Sequence, residues 1–135
     1  MLNLDQMRET LRNARTIAVV GLSDDPDRSS YGIAGFMQAQ GYRIIPVNPH
    51  LEGPVLGEQP YASLRDIPEH VDIVNVFRRP EFVPEVVDDA LAIGAGAVWM
   101  QPGTSSPEAV ARAEQAGMPA VADACIAVMH RRLMR

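Results

Sequence analysis

Ile17-Ala18-Val19-Val20-Gly21-Leu22-Ser23 decides the fold. Four apolar residues run without polar alternation and stop at a glycine, which is how a strand buried on both faces reads. Such strands belong to parallel sheets with helices on each side. Upstream, Leu4, Met7 and Leu11 recur at three- and four-residue steps and predict a helix over 3–15, capped by Asn3 or Asp5. Downstream, residues 22–30 are a polar loop. Residues 31–40 then read as a helix with Ile33, Phe36 and Met37 inward and Gly41 as its stop.

The same pattern repeats to the end. Arg43–Val47 is a second strand, and 50–60, with two Gly and two Pro, is a turn-rich excursion. A single helical turn capped by Ser63 precedes a third strand over 72–77. Residues 80–93 read as the longest helix, with Phe82, Val86, Ala90 and Ile93 on its inner stripe. Ala97–Met100 is the fourth strand. Ser106 and Pro107 cap and open the next helix, and Gly117 closes it. Ala120–Ala122 is a fifth strand, and 123–134 a last helix with Arg131, Arg132 and Arg135 at its negative end. Apolar strands separated by crossovers imply a three-layer, Rossmann-like α/β fold with a five-stranded parallel sheet. Of the two common strand orders, 3-2-1-4-5 and 2-1-3-4-5, the first is the expected one. The 135 residues are read as one domain, 1–135, with the first helix packed on it.

Composition narrows the function. The net charge is −5 and all 12 basic residues are arginine, a poor balance for non-specific nucleic-acid binding. One cysteine, Cys125, allows no internal disulfide and no cysteine metal cluster, and His50, His70 and His130 have no metal-ligand spacing. No apolar stretch is long enough to span a membrane, and the start lacks the apolar core of a signal peptide. The cytoplasm is the expectation by elimination.

A ligand in such a fold lies outside the carboxyl ends of the strands. Gly21 permits a tight turn there, Ser23 can donate to an anion, and the following helix aims free N–H groups at the same space. Arg28 is the one cation in that loop, beside Asp24, Asp25 and Asp27, and would meet phosphate or pair with an aspartate. The dinucleotide fingerprint is absent, with serine at 23 where glycine is required. Val47-Asn48-Pro49 stands where NAD sites carry an acidic residue, so NAD is disfavoured. Asn48 reads equally as a rim residue or as a turn. Phe77 can cover a base or an extended arm, and Arg78 or Arg79 can meet phosphate. Gln101 and Gly103 are better placed for a ligand than Trp99, which reads as core. Cys125 and His130 are five apart and do not share a helix face, so an inert buried thiol is the better reading of Cys125. No nucleophile elbow, no lysine and no poised pair of carboxylates is present, which favours binding over catalysis and leaves the catalytic set empty.

These stretches together resemble the stand-alone CoA-binding proteins, whose domain is similar to the N-terminal domain of the succinyl-CoA synthetase alpha subunit. The resemblance runs from about Ile17 to Leu133. It rests on 17–23 with Pro26 and 28–31, on 41–49, on 61–68, on 71–78, on 99–103 and on Cys125-Ile126. It implies coenzyme A as ligand. Gly21 and Ser23 would turn around the diphosphate with Arg28 beside it, and Leu22, Ser30 and Tyr31 fall in the same stretch. Val47, Asn48 and Pro49 would border the nucleotide, Phe77, Arg78 and Arg79 the next loop, and Gln101 and Gly103 the pantetheine side. It implies no catalysis for the stand-alone members. Three positions that are polar around the family's cysteine are apolar here, in the stretch Ala124-Cys125-Ile126-Ala127-Val128-Met129-His130, which points to a packed surface, with a homodimer contact or a protein partner at Val128 and Met129. Two alternatives stand beside CoA binding: a module sensing NAD(H) or CoA status, and a small Cys125-dependent acyl or persulfide transferase.

Overall fold

A computed structural model describes residues 1–135. Its elements run α1 (Leu4–Asn13), β1 (Thr16–Val20), α2 (Ser29–Ala39), β2 (Arg43–Val47), a 3₁₀ turn at Leu64–Asp66, β3 (Ile73–Val76), a 3₁₀ turn at Pro80–Phe82, α3 (Val83–Ala92), β4 (Ala97–Met100), α4 (Pro107–Gln115), β5 (Ala120–Ala122) and α5 (Ile126–Leu133). All strand pairs are parallel. The expected caps form. Asn3 and Gln6 make a reciprocal capping box on α1, Ser63 accepts from Arg65 N–H, and Ser106 accepts from Ala109 N–H with Pro107 opening α4. The helix expected over 80–93 is instead a 3₁₀ turn followed by a ten-residue α3, shorter than the eleven-residue α2. Phe82, placed on its inner stripe by the periodicity, is 41% exposed, because the 3₁₀ turn rotates it out of the α-helical phase.

The strand order is β2-β1-β3-β4-β5, not the expected 3-2-1-4-5. The outer edge of β2 is closed by a different segment: Tyr61 N–H donates to Pro46 O and Tyr61 O accepts from Asn48 N–H. Pro46 lies inside β2, and its N and C=O face the same way along a strand. Its missing N–H therefore falls on the outer edge, where a full strand would leave an acceptor unmet. At the other edge, Leu2 N–H donates to Ala120 O. Both rims of the sheet thus carry a short covering segment, which blunts pairing with another chain.

Alternate residues of each strand feed two cores. Ala18, Val20, Ile45, Val74, Val76, Val98 and Met100 face α3, α4 and the Leu64 turn. Ile17, Val19, Ile44, Ile73, Trp99 and Val121 face α1, α2 and α5. Met129 belongs to this second core, so of the pair read as a partner face only Val128 is exposed. Helix α1 lies against α5, with Arg8 Nε 3.3 Å from Leu133 O. No helix is long and apolar enough to cross a membrane.

Two contacts tie β1 to its neighbours. At its start, Asp72 Oδ2 accepts from Arg15 N–H (2.8 Å), Thr16 N–H (3.0 Å) and the Thr16 hydroxyl (3.2 Å). Burial pushes the Asp72 pKa up, but these donors and nearby His70 outweigh it and hold the carboxyl below its usual range. At its end, Gly21 has φ +89°, and a Cβ there would collide with Phe77 O.

Each contact generates an expectation. The folded-state pKa of Asp72 is lowered, so its stabilisation is complete above the unfolded value and is lost as pH falls through the folded one. Urea midpoints measured below about pH 4 should therefore fall less steeply for Asp72→Asn than for the wild type; equal slopes would assign the acid sensitivity to other carboxylates. Gly21→Ala should lose about 1–3 kcal/mol in urea unfolding through strain and collision. A variant as stable as the wild type would mean that the β3 loop yields freely.

Candidate functional site

From β1 the chain crosses to β2 on one side of the sheet; from β3 it proceeds to β4 and β5 on the other. The carboxyl ends of β1 and β3 therefore flank the topological switch point, where ligands of such sheets bind. Two hollows meet there. The first, about 530 Å³, lies between the ends of β1, β2 and β3 and the start of α3. The second, about 490 Å³, lies between α2, the ends of β3 and β4, and Cys125. Phe77 and Arg78 line both, so the two hollows, here the lobes of a cleft, adjoin at the β3 loop. Each volume is in the range of roughly 300–1,000 Å³ usual for small-molecule sites.

The expected residues divide between wall and support. Gly21, Val47, Asn48, Pro49, Phe77 and Arg78 line the first lobe. Phe77, Arg78, Arg79, Gln101 and Gly103 line the second. Leu22, Ser23, Arg28, Ser30 and Tyr31 line neither lobe. The Leu22 side chain is fully buried beneath α2, so only its backbone faces the loop. Ser30 is buried too, and its hydroxyl accepts from Ser23 N–H (3.0 Å), which closes the loop on itself. Asn48 is a clamp between strands: its NH₂ donates to Leu22 O (3.1 Å) and its Oδ1 accepts from His50 N–H (2.9 Å). No carboxylate follows β2 in its place.

Local charge runs against the net acidity. Arg8, Arg12, Arg43, Arg65 and Arg112 are all in ion pairs. Arg28, Arg78 and Arg79 have no acidic partner, and Arg28 stands at the α2 N-cap without a side-chain bond. The Arg78 guanidinium lies 4.6 Å from the centre of the Phe82 ring, a contact that orients a cation without neutralising it. The backbone N–H groups of Leu22, Ser29, Arg78, Arg79 and Gly103 have no protein acceptor. Of these, Ser29, Arg78, Arg79 and Gly103 line the second lobe, so four donors and two cations meet there, an arrangement that suits phosphate oxygens, while Leu22 and Arg28 lie outside the lobes.

Several lining residues escape a reading of the sequence. Phe82 enters the first lobe from the 3₁₀ turn and Glu85 and Asp89 from α3, and Asp89 is already held by Arg65 at 2.7 Å. Ser29, Thr104 and Cys125 enter the second. Cys125, expected to be buried and inert, is half-buried at the start of α5. His130 is turned away from it, edge-on to the rings of Tyr42 (5.6 Å) and Phe36 (6.0 Å), and burial lowers its pKa. Asn75 reads in the sequence only as part of a strand. It is 1% exposed, and its NH₂ donates to Trp99 O (3.2 Å) and Gln101 Oε1 (3.1 Å). A polar residue inside an apolar strand is the available signal. No group of three or more His, Cys, Asp or Glu is placed to hold a metal ion.

Comparison with known proteins agrees with this geometry. Residues 15–131 match the family model described as CoA binding domain. The uncharacterized protein YneT of Bacillus subtilis is 42% identical over 125 residues, which is 93% of this chain and 92% of that one. A Thermus thermophilus structure, cell-free ID.343, superposes with a TM-score of 0.93 at 41% identity, covering 98% of this chain and 99% of that one. The alpha subunit of an ADP-forming acetate–CoA ligase of Pyrococcus furiosus is 27% identical over 129 residues, 87% of this chain but 28% of that subunit. With the match spanning nearly its whole length, the chain belongs to the CoA-binding domain family and is a CoA-binding module related to the ADP-forming acetate–CoA ligases.

Proposed function

We propose that this chain binds coenzyme A or an acyl-CoA across both lobes and does no chemistry on it. The observation that carries the reading is the shared wall at Phe77 and Arg78, where the two hollows adjoin. A nucleotide occupies the first lobe, bordered by Val47, Asn48 and Pro49. The diphosphate crosses Gly21 and the unpaired Arg78 and Arg79. The pantetheine arm descends past Gln101 and Gly103 into the second lobe. Arg28 stands outside the lobes and contributes at longer range, unlike the direct contact expected from the sequence. NAD is disfavoured because the Asn48 amide is committed to Leu22 O and His50 N–H, leaving no acceptor pair for a ribose. The protein acts in the cytoplasm, where its ligand is a common metabolite.

Cys125 in the wall of the second lobe gives an acyl-transfer reading one observation in its favour. Against it, His130 is packed on Phe36 and Tyr42, and no base is hydrogen-bonded to the thiol. Binding without turnover is therefore the better account.

Calorimetric titration of refolded, ligand-free protein tests it, with NADH and AMP as controls. CoA should bind more tightly than both. Arg78→Ala should weaken CoA by about tenfold or more, as for a lost charge-assisted hydrogen bond, and Arg28→Ala by less. NADH binding as tight as CoA would overturn the assignment.

A further inference from the structure

We infer that Gln101 determines specificity in the second lobe, donating its side-chain NH₂ to an amide carbonyl of the ligand's arm, with Asn75 as the residue that positions it. The inference rests on the CoA-binding reading and adds to it which atom reads the arm and what fixes that atom.

Gln101 is only 4% exposed, yet it lines the second lobe. Its Oε1 accepts twice, from Ile126 N–H at 2.9 Å and from Asn75 NH₂ at 3.1 Å. A backbone N–H can only donate, so the oxygen of the Gln101 amide must face α5. The NH₂ then points the other way, and no protein group accepts from it. The one buried side-chain atom without a hydrogen-bond partner is Glu69 Oε1, so the Gln101 NH₂ opens to the lobe and is free to meet a ligand oxygen. Gly103 N–H, in the wall of the same lobe, also has no protein acceptor. Two donors without acceptors call for carbonyl oxygen. A pantetheine arm carries two amide carbonyls, whereas a nucleotide without the arm brings none to this lobe.

Asn75 does not line either lobe. It sits on β3 facing the α2 and α5 side, where every other inward strand residue is apolar. Its NH₂ bridges Trp99 O and Gln101 Oε1 and so prevents the Gln101 amide from turning over. Gln101 in turn does for α5 what no cap side chain does, since Cys125 makes no capping bond and Gln101 takes the first N–H. The donor is thereby fixed before a ligand arrives, which removes an ordering cost from binding.

Gln101→Glu separates the two roles of the side chain. A carboxylate still accepts from Ile126 and Asn75 but has no NH₂ to give. Titrations at pH 8, which keeps the introduced carboxyl ionised, would compare CoA with 3′-phosphoadenosine 5′-diphosphate, the same nucleotide without the arm. The wild type should prefer CoA. In Gln101→Glu the CoA affinity should fall by about tenfold or more while the nucleotide affinity stays unchanged. Asn75→Leu should shrink the same preference, since the released amide no longer holds its donor toward the lobe. Thermal melts establish that each variant is folded, and Gln101→Met replaces the glutamate variant if that one is not. An unchanged preference for CoA in a folded Gln101 variant would overturn this inference and leave CoA binding standing. Equal loss of both ligands would reduce Gln101 to a structural role and would overturn the inference in the same way. A wild type that binds neither compound would overturn both readings together.

Discussion

The approach of Gly21 to the carbonyl of Phe77 is the constraint on which the rest of this structure depends. Gly21 N–H continues the ladder to Val47 O (2.8 Å), while Phe77 N–H continues it to Val20 O (2.8 Å). The carboxyl ends of β2, β1 and β3 are thereby drawn into one rim within a few residues. Only a residue without a Cβ fits there, and only one at ease with positive φ turns the chain away into the loop. Without that turn the β3 loop would be pushed outward, and Phe77 and Arg78 would no longer serve as a wall common to two lobes. The site is thus a consequence of backbone packing at the switch point before any side chain is chosen.

A second level of order lies beneath the cleft, on the α2 and α5 side of the sheet. Trp99 and Gln101, two residues apart on one face, reach the same short segment: Trp99 Nε1 donates to Ala124 O (2.9 Å), and Gln101 Oε1 accepts from Ile126 N–H. With Asn75 they form a buried polar seam in an otherwise apolar layer. Such a seam is weak as a source of stability, because its groups give up water to pair with each other. Its effect is geometric. It fixes where α5 begins, and with it the positions of Cys125 and the floor of the second lobe.

The layers are legible in the sequence, whereas the order of the strands is easily misread from it. Burial on both faces is visible as unbroken apolar runs at 17–20, 44–47 and 97–100, and at 73–76 with the single break of Asn75, because a doubly covered strand has no solvent face to mark. Caps at Asn3, Ser63 and Ser106 are visible because a cap is a local bond. Strand order is not local, yet Pro46 carries it: a proline within a strand belongs at an edge, and 3-2-1-4-5 would have put that strand inside. Of the site, the glycine turn and the β3 and β4 loops are readable from position alone. Whether an arginine there is paired is not, since the acids beside Arg28 in sequence make no ion pair with it in space. Phe82 and Asn75 mislead for opposite reasons, one because a 3₁₀ turn breaks the helical phase, the other because a single polar residue in an apolar run reads as noise.

The distribution of charge also suits a binding role. Around the cleft the pairing pattern leaves positive charge where an anion would lie: Arg65 and Arg112 are neutralised by Asp89, Asp88 and Glu108, and Arg78 and Arg79 at the β3 loop are left free, as Arg131 and Arg132 are on α5. Arg78 is held by an aromatic ring and not by a carboxylate, so it stays oriented without surrendering its charge. Long-range attraction is weak under the net charge of −5, and screening limits it further beyond about 8–10 Å. Selection of the ligand therefore rests on contacts inside the cleft: anion recognition at the β3 loop, where cations and free N–H groups meet, and shape with fixed donors at its two ends.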